Sequence, residues 1–457
     1  MTRTSPEPRH RGRHFALVST VVIAVLVIAG SLLAAAAFAQ GPQVRAVTGD
    51  PASAVAQRDV VVSVRTDQPL DPSSTEGIAL EPAAPMQVEV VGASLRVRFL
   101  KSLEYATAYR LVVPALRGQT TGTLSSTEYS FTTPPLTMTT LERGGAFERA
   151  EGDDAVVRHD LSHGSDATIL SAPRIQEYAE SGGDTVAVAV DRDGATSVQL
   201  ARGDGSEATL PLPGRGDVRL LRASSDAGRI GYVFTGSSED GVQQYTGVLF
   251  LADLSDPSAP PRTVAGLDGE PVRTEAWQFV PGSAYLVAQT TDRSLLLVDA
   301  TGAAPPRVLG QLGDLLSFLP GTTSVVLGGA DGLSILDLTS GSVTDVDGTR
   351  AIDAAPGTGR LMLAPDAIAT WTTVEVTRGA PGRPGALVAA AESGSRIVEV
   401  CASPSGRHLA IGVVPDAGPM DGYPARADRV GRRTQIVDAT NGDVIADVEG
   451  TRPGWCG

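Results

Sequence analysis

Apolar residues fall in short runs along most of this chain, and each run ends at a turn of Asp, Gly, Pro or Ser. The clearest pattern is Leu95-Arg96-Val97-Arg98-Phe99. Its period of two turns Leu95, Val97 and Phe99 toward a core and the arginines toward water. Runs at Val60–Val64, Ile78–Leu80, Met86–Val91, Leu95–Phe99, Tyr109–Val113 and Tyr129–Thr132 predict a small β-sandwich over residues 59–135. Residues 40–58, rich in Pro, Ala, Gln and Gly, read as a linker.

From residue 136 to 457 two hairpin signatures recur. One is an apolar run, an Asp and a short turn. It occurs at Val156–Gly164, Leu249–Ser255, Leu296–Gly302, Ile335–Gly341 and Ile436–Gly442. The other is a Pro/Ser-x-Gly turn between apolar runs, at Val280-Pro281-Gly282, Leu319-Pro320-Gly321, Ala355-Pro356-Gly357 and Ser403-Pro404-Ser405-Gly406. The period of roughly 40 to 50 residues is that of a four-stranded propeller blade. The Pro/Ser-x-Gly turn should join the two inner strands of a blade. The Asp turn should join the two outer ones, with Asp bonding its own turn backbone and Gly taking the positive φ. Six complete blades start near residues 172, 217, 273, 313, 350 and 396. The stretch 138–170 has a weak inner part. If the tail Thr451–Gly457 supplies its inner strand, the ring has seven blades, the favoured count over six.

Two resemblances fit these patterns. Asp67-Gln68-Pro69-Leu70-Asp71, Leu103 with Tyr109-Arg110-Leu111-Val112-Val113, and the closing Tyr129-Ser130-Phe131-Thr132-Thr133 resemble bacterial Ig-like domains of surface-layer and envelope proteins. That likeness implies a spacer or adhesive module. Tyr105 and Tyr109 read as core and corner residues, the alternative being a ligand platform. The repeated hairpins of residues 138–450 resemble the WD40-like and TolB-like propeller repeats of bacteria. That likeness implies architecture and no particular function.

The amino terminus changes the picture of compartment. Residues 1–14 carry four arginines, and residues 15–39 are uncharged. As a helix that run spans about 37 Å, enough to cross a bilayer with tilt. The arginines before it hold the terminus in the cytoplasm and put everything after Gln40 outside. The length favours a retained anchor. Ala37-Phe38-Ala39 fits cleavage after Ala39, which would leave a secreted protein. Cys401 and Cys456, the only cysteines, are then expected to form a disulfide that locks the ring closed. The alternative is a buried thiol and a frayed terminal one.

The formal charge of −15 excludes a nucleic-acid binder, which needs a basic face. No nucleophile elbow, P-loop or dinucleotide fingerprint is present, so no catalytic residue and no cofactor is assigned. His159-x3-His163 has metal spacing but falls on a strand and turn, and His408 is a lone strand histidine. Asp191-Arg192-Asp193-Gly194 begins like a calcium loop, yet makes a good hairpin turn, and Arg202-Gly203-Asp204 reads as an ordinary turn. The loops Thr235–Tyr245 and Pro415–Arg433 exceed what a turn needs. Gln243, Tyr245, Met420 and Tyr423 are therefore the binding-loop candidates.

The reading is an all-β, membrane-anchored envelope protein whose propeller binds a protein or cell-wall component without catalysis. The alternative is a propeller hydrolase or lactonase with a divalent cation in its channel. The two separate on whether three or more Asp, Glu, His or Asn side chains converge at one channel mouth.

Overall fold

The computed structural model describes residues 17–29, 31, 40–145, 152–190, 194–224, 228–346, 358–424 and 427–456. It divides into two units: residues up to 54 with 59–134, and residues 55–58 with 135–457. Residues 17–29 are helical with exposed apolar side chains, a length of about 20 Å. No helix among the described residues is long and apolar enough to cross a membrane. Residues 1–14, expected to be a cytoplasmic arm, and most of the remaining run to Ala39 lie outside the described residues.

The described residues of the first unit form seven strands: β1 (Val44–Thr48), β2 (Val61–Thr66), β3 (Ala79–Glu81), β4 (Met86–Val91), β5 (Ser94–Phe99), β6 (Ala108–Arg117) and β7 (Leu124–Thr132). They form two antiparallel sheets, β1-β2-β5-β4 and β3-β6-β7. Leu95, Val97 and Phe99 are buried, as the alternation predicts, and so are Leu111 and Val113 on the second sheet. Phe99 meets Phe131 between the sheets, ring centroids 6.2 Å apart. The buried Tyr109 stacks on Phe131, and its hydroxyl accepts from the Glu104 amide at 3.0 Å, fastening a corner. The linker expected over 40–58 is corrected in part. It contains β1, which pairs with β2. No residue of the run Val-Arg-Ala-Val-Thr is buried, and its two valines are three apart, so no apolar alternation marks it.

The described residues of the second unit form seven antiparallel sheets, in each of which the strand order follows the chain. Blade 1 comprises Thr137–Glu142, Asp154–Asp160 and Ser165–Ala172. Blades 2 to 7 have four strands each. Their first strands are Ile175–Ser181, Gly214–Ala223, Thr274–Phe279, Asp314–Phe318, Gly359–Ala364 and Ser395–Ala402. The fifth expected blade, begun near residue 350, starts outside the described residues, as does its Ala355-Pro356-Gly357 turn.

Neither face of so small a sheet is covered by its own blade, and each neighbour supplies the cover. Leu141 and Val156 of blade 1 pack with Ile175 and Ala187 of blade 2. Val186 and Val188 pack with Tyr232 and Phe234, Leu249 and Leu251 with Trp277, and Val287 with Leu315 and Val325. Leu319 and Val326 pack with Met362 and Ile368, and Ala369 and Val376 with Ile397 and Leu409. Met138 of blade 1 then meets Ala410 and Ile436 of blade 7. Seven successive interfaces return to their start, and the unit is a β-propeller.

The Asp turns fall where expected, as do three of the four Pro/Ser-x-Gly turns. The fourth expectation, Ala355-Pro356-Gly357, is corrected, because the inner strands of that blade, Gly359–Ala364 and Ala367–Trp371, both follow it in the chain and are joined by residues 365–366. Asp253, Asp299, Asp337 and Asp438 end third strands and accept the amide two residues on, at 2.9, 2.8, 2.7 and 2.6 Å. Gly341 completes one such turn at φ 73°, a conformation that penalises any side chain. The Thr301 hydroxyl and amide hold the Asp299 carboxyl below its ordinary pKa. A lowered folded pKa means that this stabilisation is complete above the ordinary carboxyl range and is lost as pH falls through the lowered value. Asp299→Ala is expected to cost about 1 kcal/mol. Asp299→Asn should keep the turn and remove its acid-dependent part. Urea midpoints at neutral and acid pH check this, and an Asn variant with unchanged acid sensitivity would refute it.

Candidate functional site

The blade 7 to blade 1 seam is the weakest apolar interface. Three buried apolar residues meet there, against fifteen between blades 2 and 3 among the described residues. Polar and covalent links supply the difference. Leu141 and Thr451 exchange backbone hydrogen bonds, both 2.8 Å, so the tail takes the innermost position of blade 1. Tyr178 of blade 2 donates to the Arg452 carbonyl at 2.6 Å and to the Thr139 carbonyl at 2.9 Å. The Trp455 indole donates to the Thr137 carbonyl at 3.2 Å. The tail ends in a 3-10 turn, Gly454–Cys456, and Cys456 is disulfide-bonded to Cys401 on the first strand of blade 7, with Cα atoms 5.3 Å apart.

A second fastening uses the long connection in blade 7. The Arg143 side chain, 5% exposed, donates to Asp421 at 2.5 Å and lies 3.8 Å over the Tyr423 ring. The Tyr423 hydroxyl donates to both oxygens of Asp154, at 2.9 and 2.7 Å. Asp154 is fully buried and also accepts from the Gly144 and Ile175 amides at 3.0 and 2.8 Å. Burial raises the Asp154 carboxyl above its ordinary range, partly opposed by the Tyr423 hydroxyl, and burial also raises Tyr423 itself. Three blades are thus tied by one network.

Two cavities flank the tail. One of about 240 Å³ lies between the Arg143 and Arg429–Arg433 segments. The other, about 350 Å³, faces the first strands of blades 2, 3 and 7 and is lined by Glu177, Glu180, Glu399, Arg222, Arg452 and Cys456 among others. Three carboxylates line this cavity without closing on one point, and each already holds a partner. Glu177 accepts from the Leu221 amide at 2.8 Å. Glu180 accepts from Thr139 at 2.6 Å and Arg158 at 2.9 Å. Glu399 accepts from Arg432, which also pairs with Asp428. Sequence reasoning missed these residues. Their signal is a shared Ile-x-Glu on two first strands, Ile175-Gln176-Glu177 and Ile397-Val398-Glu399, each with a register shift at that point. Such a bulge re-aims the side chain that follows it.

The binding-loop residues scatter. Met420 is 53% exposed on the blade 7 connection. Tyr423, expected to be presented there, is corrected: it is 1% exposed and fully engaged with Asp154. The expected loop Thr235–Tyr245 is mostly the end of a long hairpin, Arg229–Ser238 with Gln244–Asp253. Its Ser, Gly and Gln residues hide the strand pattern. Tyr245 packs edge-on to Phe250, with ring centroids 5.2 Å apart, and its hydroxyl donates to Gln243 at 2.9 Å. His159 is buried between Asp166 and Thr140, 2.8 Å from each, while the exposed His163 lies 2.7 Å from Asp160, so the two rings have different partners. His408 is buried. Arg202 donates inward to the Leu254 carbonyl at 2.5 Å. Asp191, Arg192 and Asp193 lie outside the described residues.

Strands alternate in direction, so connections alternate between the faces of the ring. Both repeated turn types share one face. The connections from second to third strand, and from each blade to the next, share the other. Among the described residues, every large apolar side chain exposed in a propeller connection is on that second face: Val242, Leu267, Val374, Met420 and Val430.

No family model matches the chain, and no curated protein does. Among solved structures, the β-propeller domain of the Trilobed protease from Pyrococcus furiosus is similar over 76% of this chain and 94% of that one, at 9% identity and TM-score 0.42. A provisionally assigned 6-phosphogluconolactonase from Bacteroides uniformis is similar over 70% of this chain and 98% of that one, at 15% identity and TM-score 0.42. Dihydro-heme d1 dehydrogenase NirN is similar over 69% and 74%, at 15% identity and TM-score 0.43. Likenesses this distant say nothing of function. The propeller assignment rests on the blade order and the seven interfaces.

Proposed function

We propose that the chain is an extracytoplasmic binding protein, held at the membrane by the run 15–39, with an Ig-like spacer and a propeller that presents one face to a protein or cell-wall ligand. The observation that carries this reading is the asymmetry of the two faces. The repeats spend one face on turns, while Val242, Leu267, Val374, Met420 and Val430 stand exposed on the other. Exposed aliphatics suit a protein ligand better than a hydroxyl-rich polymer. A ring fastened at its seam holds these connections in place at little ordering cost. The anchor rests on the uncharged length of residues 15–39 and the arginines before it.

Deleting the blade 7 connection would also remove Asp421 and Tyr423, so point substitutions are the cleaner test. Val242→Asp and Met420→Asp, in the full chain, should each weaken capture of the partner from its own envelope by about 1 kcal/mol or more. The thermal midpoint should stay nearly unchanged, as for other surface substitutions. Capture unchanged in both variants would remove this face from consideration. A second reading keeps Glu177, Glu180 and Glu399 as ligands of a divalent cation in a hydrolase channel. That these three carboxylates form no close group among the described residues speaks against it. Chelator-sensitive hydrolysis of an ester or lactone panel would put it first.

A further inference from the structure

We infer that reduction of the Cys401–Cys456 bond turns the ring clasp into a binding site for a divalent zinc-like cation, with Glu399 as the third protein ligand. Glu399 and Cys401 are two apart on one strand and so share a face, the one turned to the tail. The register shift lies before Glu399, between Ile397 and Glu399, and leaves that pairing intact. The Glu399 carboxylate and the two sulfurs lie within 4.8 Å of one another. They are the one such group of three His, Cys, Asp or Glu residues among the described residues.

The donor chemistry fits. At about 2.3 Å from a tetrahedral zinc ion, two thiolates stand roughly 3.7 Å apart, so released sulfurs need to separate only modestly. The carboxylate supplies a third ligand, and the cavity of about 350 Å³ lined by Glu399 and Cys456 leaves room for water as the fourth. Freeing Glu399 does not strand Arg432, which remains paired with Asp428. The chemistry balances with a dithiol as reductant. Two electrons and two protons convert the S–S bond to two thiols, and the dithiol leaves as its own disulfide. The cation then displaces both thiol protons. In the oxidised chain neither sulfur is available as a thiolate ligand, so occupancy is set by redox state.

The test titrates cobalt(II), without oxygen, into the full chain before and after reduction with a phosphine. One equivalent should bind to the reduced chain with a thiolate-to-cobalt charge-transfer band, and the oxidised chain should show no such band. Cys456→Ser should abolish the band after reduction. Glu399→Gln should keep it but weaken cobalt binding at least about tenfold, the loss seen when even an outer-sphere partner of a metal site is removed. Zinc should also return part of the thermal midpoint lost on reduction, a readout independent of the spectrum. No thiolate band in the reduced chain overturns the inference. A Glu399→Gln titration that matches the unchanged chain also overturns it, because the cation would then be held by thiols alone. Ligand capture by the oxidised chain is untouched by either result.

Discussion

Arg143→Met is expected to destabilise the propeller by about 3–5 kcal/mol, the cost of leaving a buried carboxylate without its partner. The aliphatic stem is kept, so packing changes little. What is lost is the 2.5 Å bond to Asp421 and the guanidinium over Tyr423. Asp421 cannot turn to water, because its side chain is 5% exposed and also accepts from the Tyr423 and Asp428 amides, at 3.2 and 2.8 Å. The damage spreads to Asp154, whose phenol donor is placed by that same connection. All three tryptophans, Trp277, Trp371 and Trp455, lie in the propeller, so urea unfolding followed by their fluorescence reports on this unit. Tyr423→Phe in the same background should be non-additive by about 0.5–3 kcal/mol, since both changes disable one network. A midpoint shift no larger than that of an ordinary surface substitution, about 0.5 kcal/mol, would sink the claim that this network holds the seam.

The network was illegible in the sequence for a plain reason. Arg143 and Asp421 are 278 residues apart, and Asp154 and Tyr423 are 269 apart. No local pattern connects them. Tyr423 sits in a Gly/Pro-rich connection with no period, which is also how a presented aromatic would look. The repeats were legible because each blade restates the same local rule. Asp at the end of a third strand and Gly at the turn need no distant partner, and the register of Leu95–Phe99 is likewise settled by its own alternation. Between these extremes stand Glu177 and Glu399. Their Ile-x-Glu signature emerges once blades are aligned on first strands instead of on the Asp turns. β1 failed for the opposite reason: its residues, none of them buried, carry no period to read.

Removing the disulfide, by Cys456→Ser or by reduction without metal, should cost about 4 kcal/mol at most, from the loop-closure entropy of a 55-residue loop. The larger consequence is where that loss falls. The other six interfaces keep their apolar packing. The seam has few buried apolar residues, Met138, Ala410 and Ile436, and its tail is then held by the Leu141–Thr451 backbone pair and the Tyr178 and Trp455 hydrogen bonds, with the Arg143 network beside it. Opening should therefore begin at the tail, as local unfolding well below the global transition. Amide exchange should quicken first at Leu141 and Thr451, while Val186 and Leu249, buried in the blade 2–3 and 3–4 interfaces, stay protected. Combining Cys456→Ser with Arg143→Met should then exceed the sum of the single losses, because each fastening limits the opening that the other permits. Oxidised and reduced chains with the same urea midpoint and the same exchange at Leu141 would mean that the tail is held by its hydrogen bonds alone, and that the bond between Cys401 and Cys456 does not close the ring.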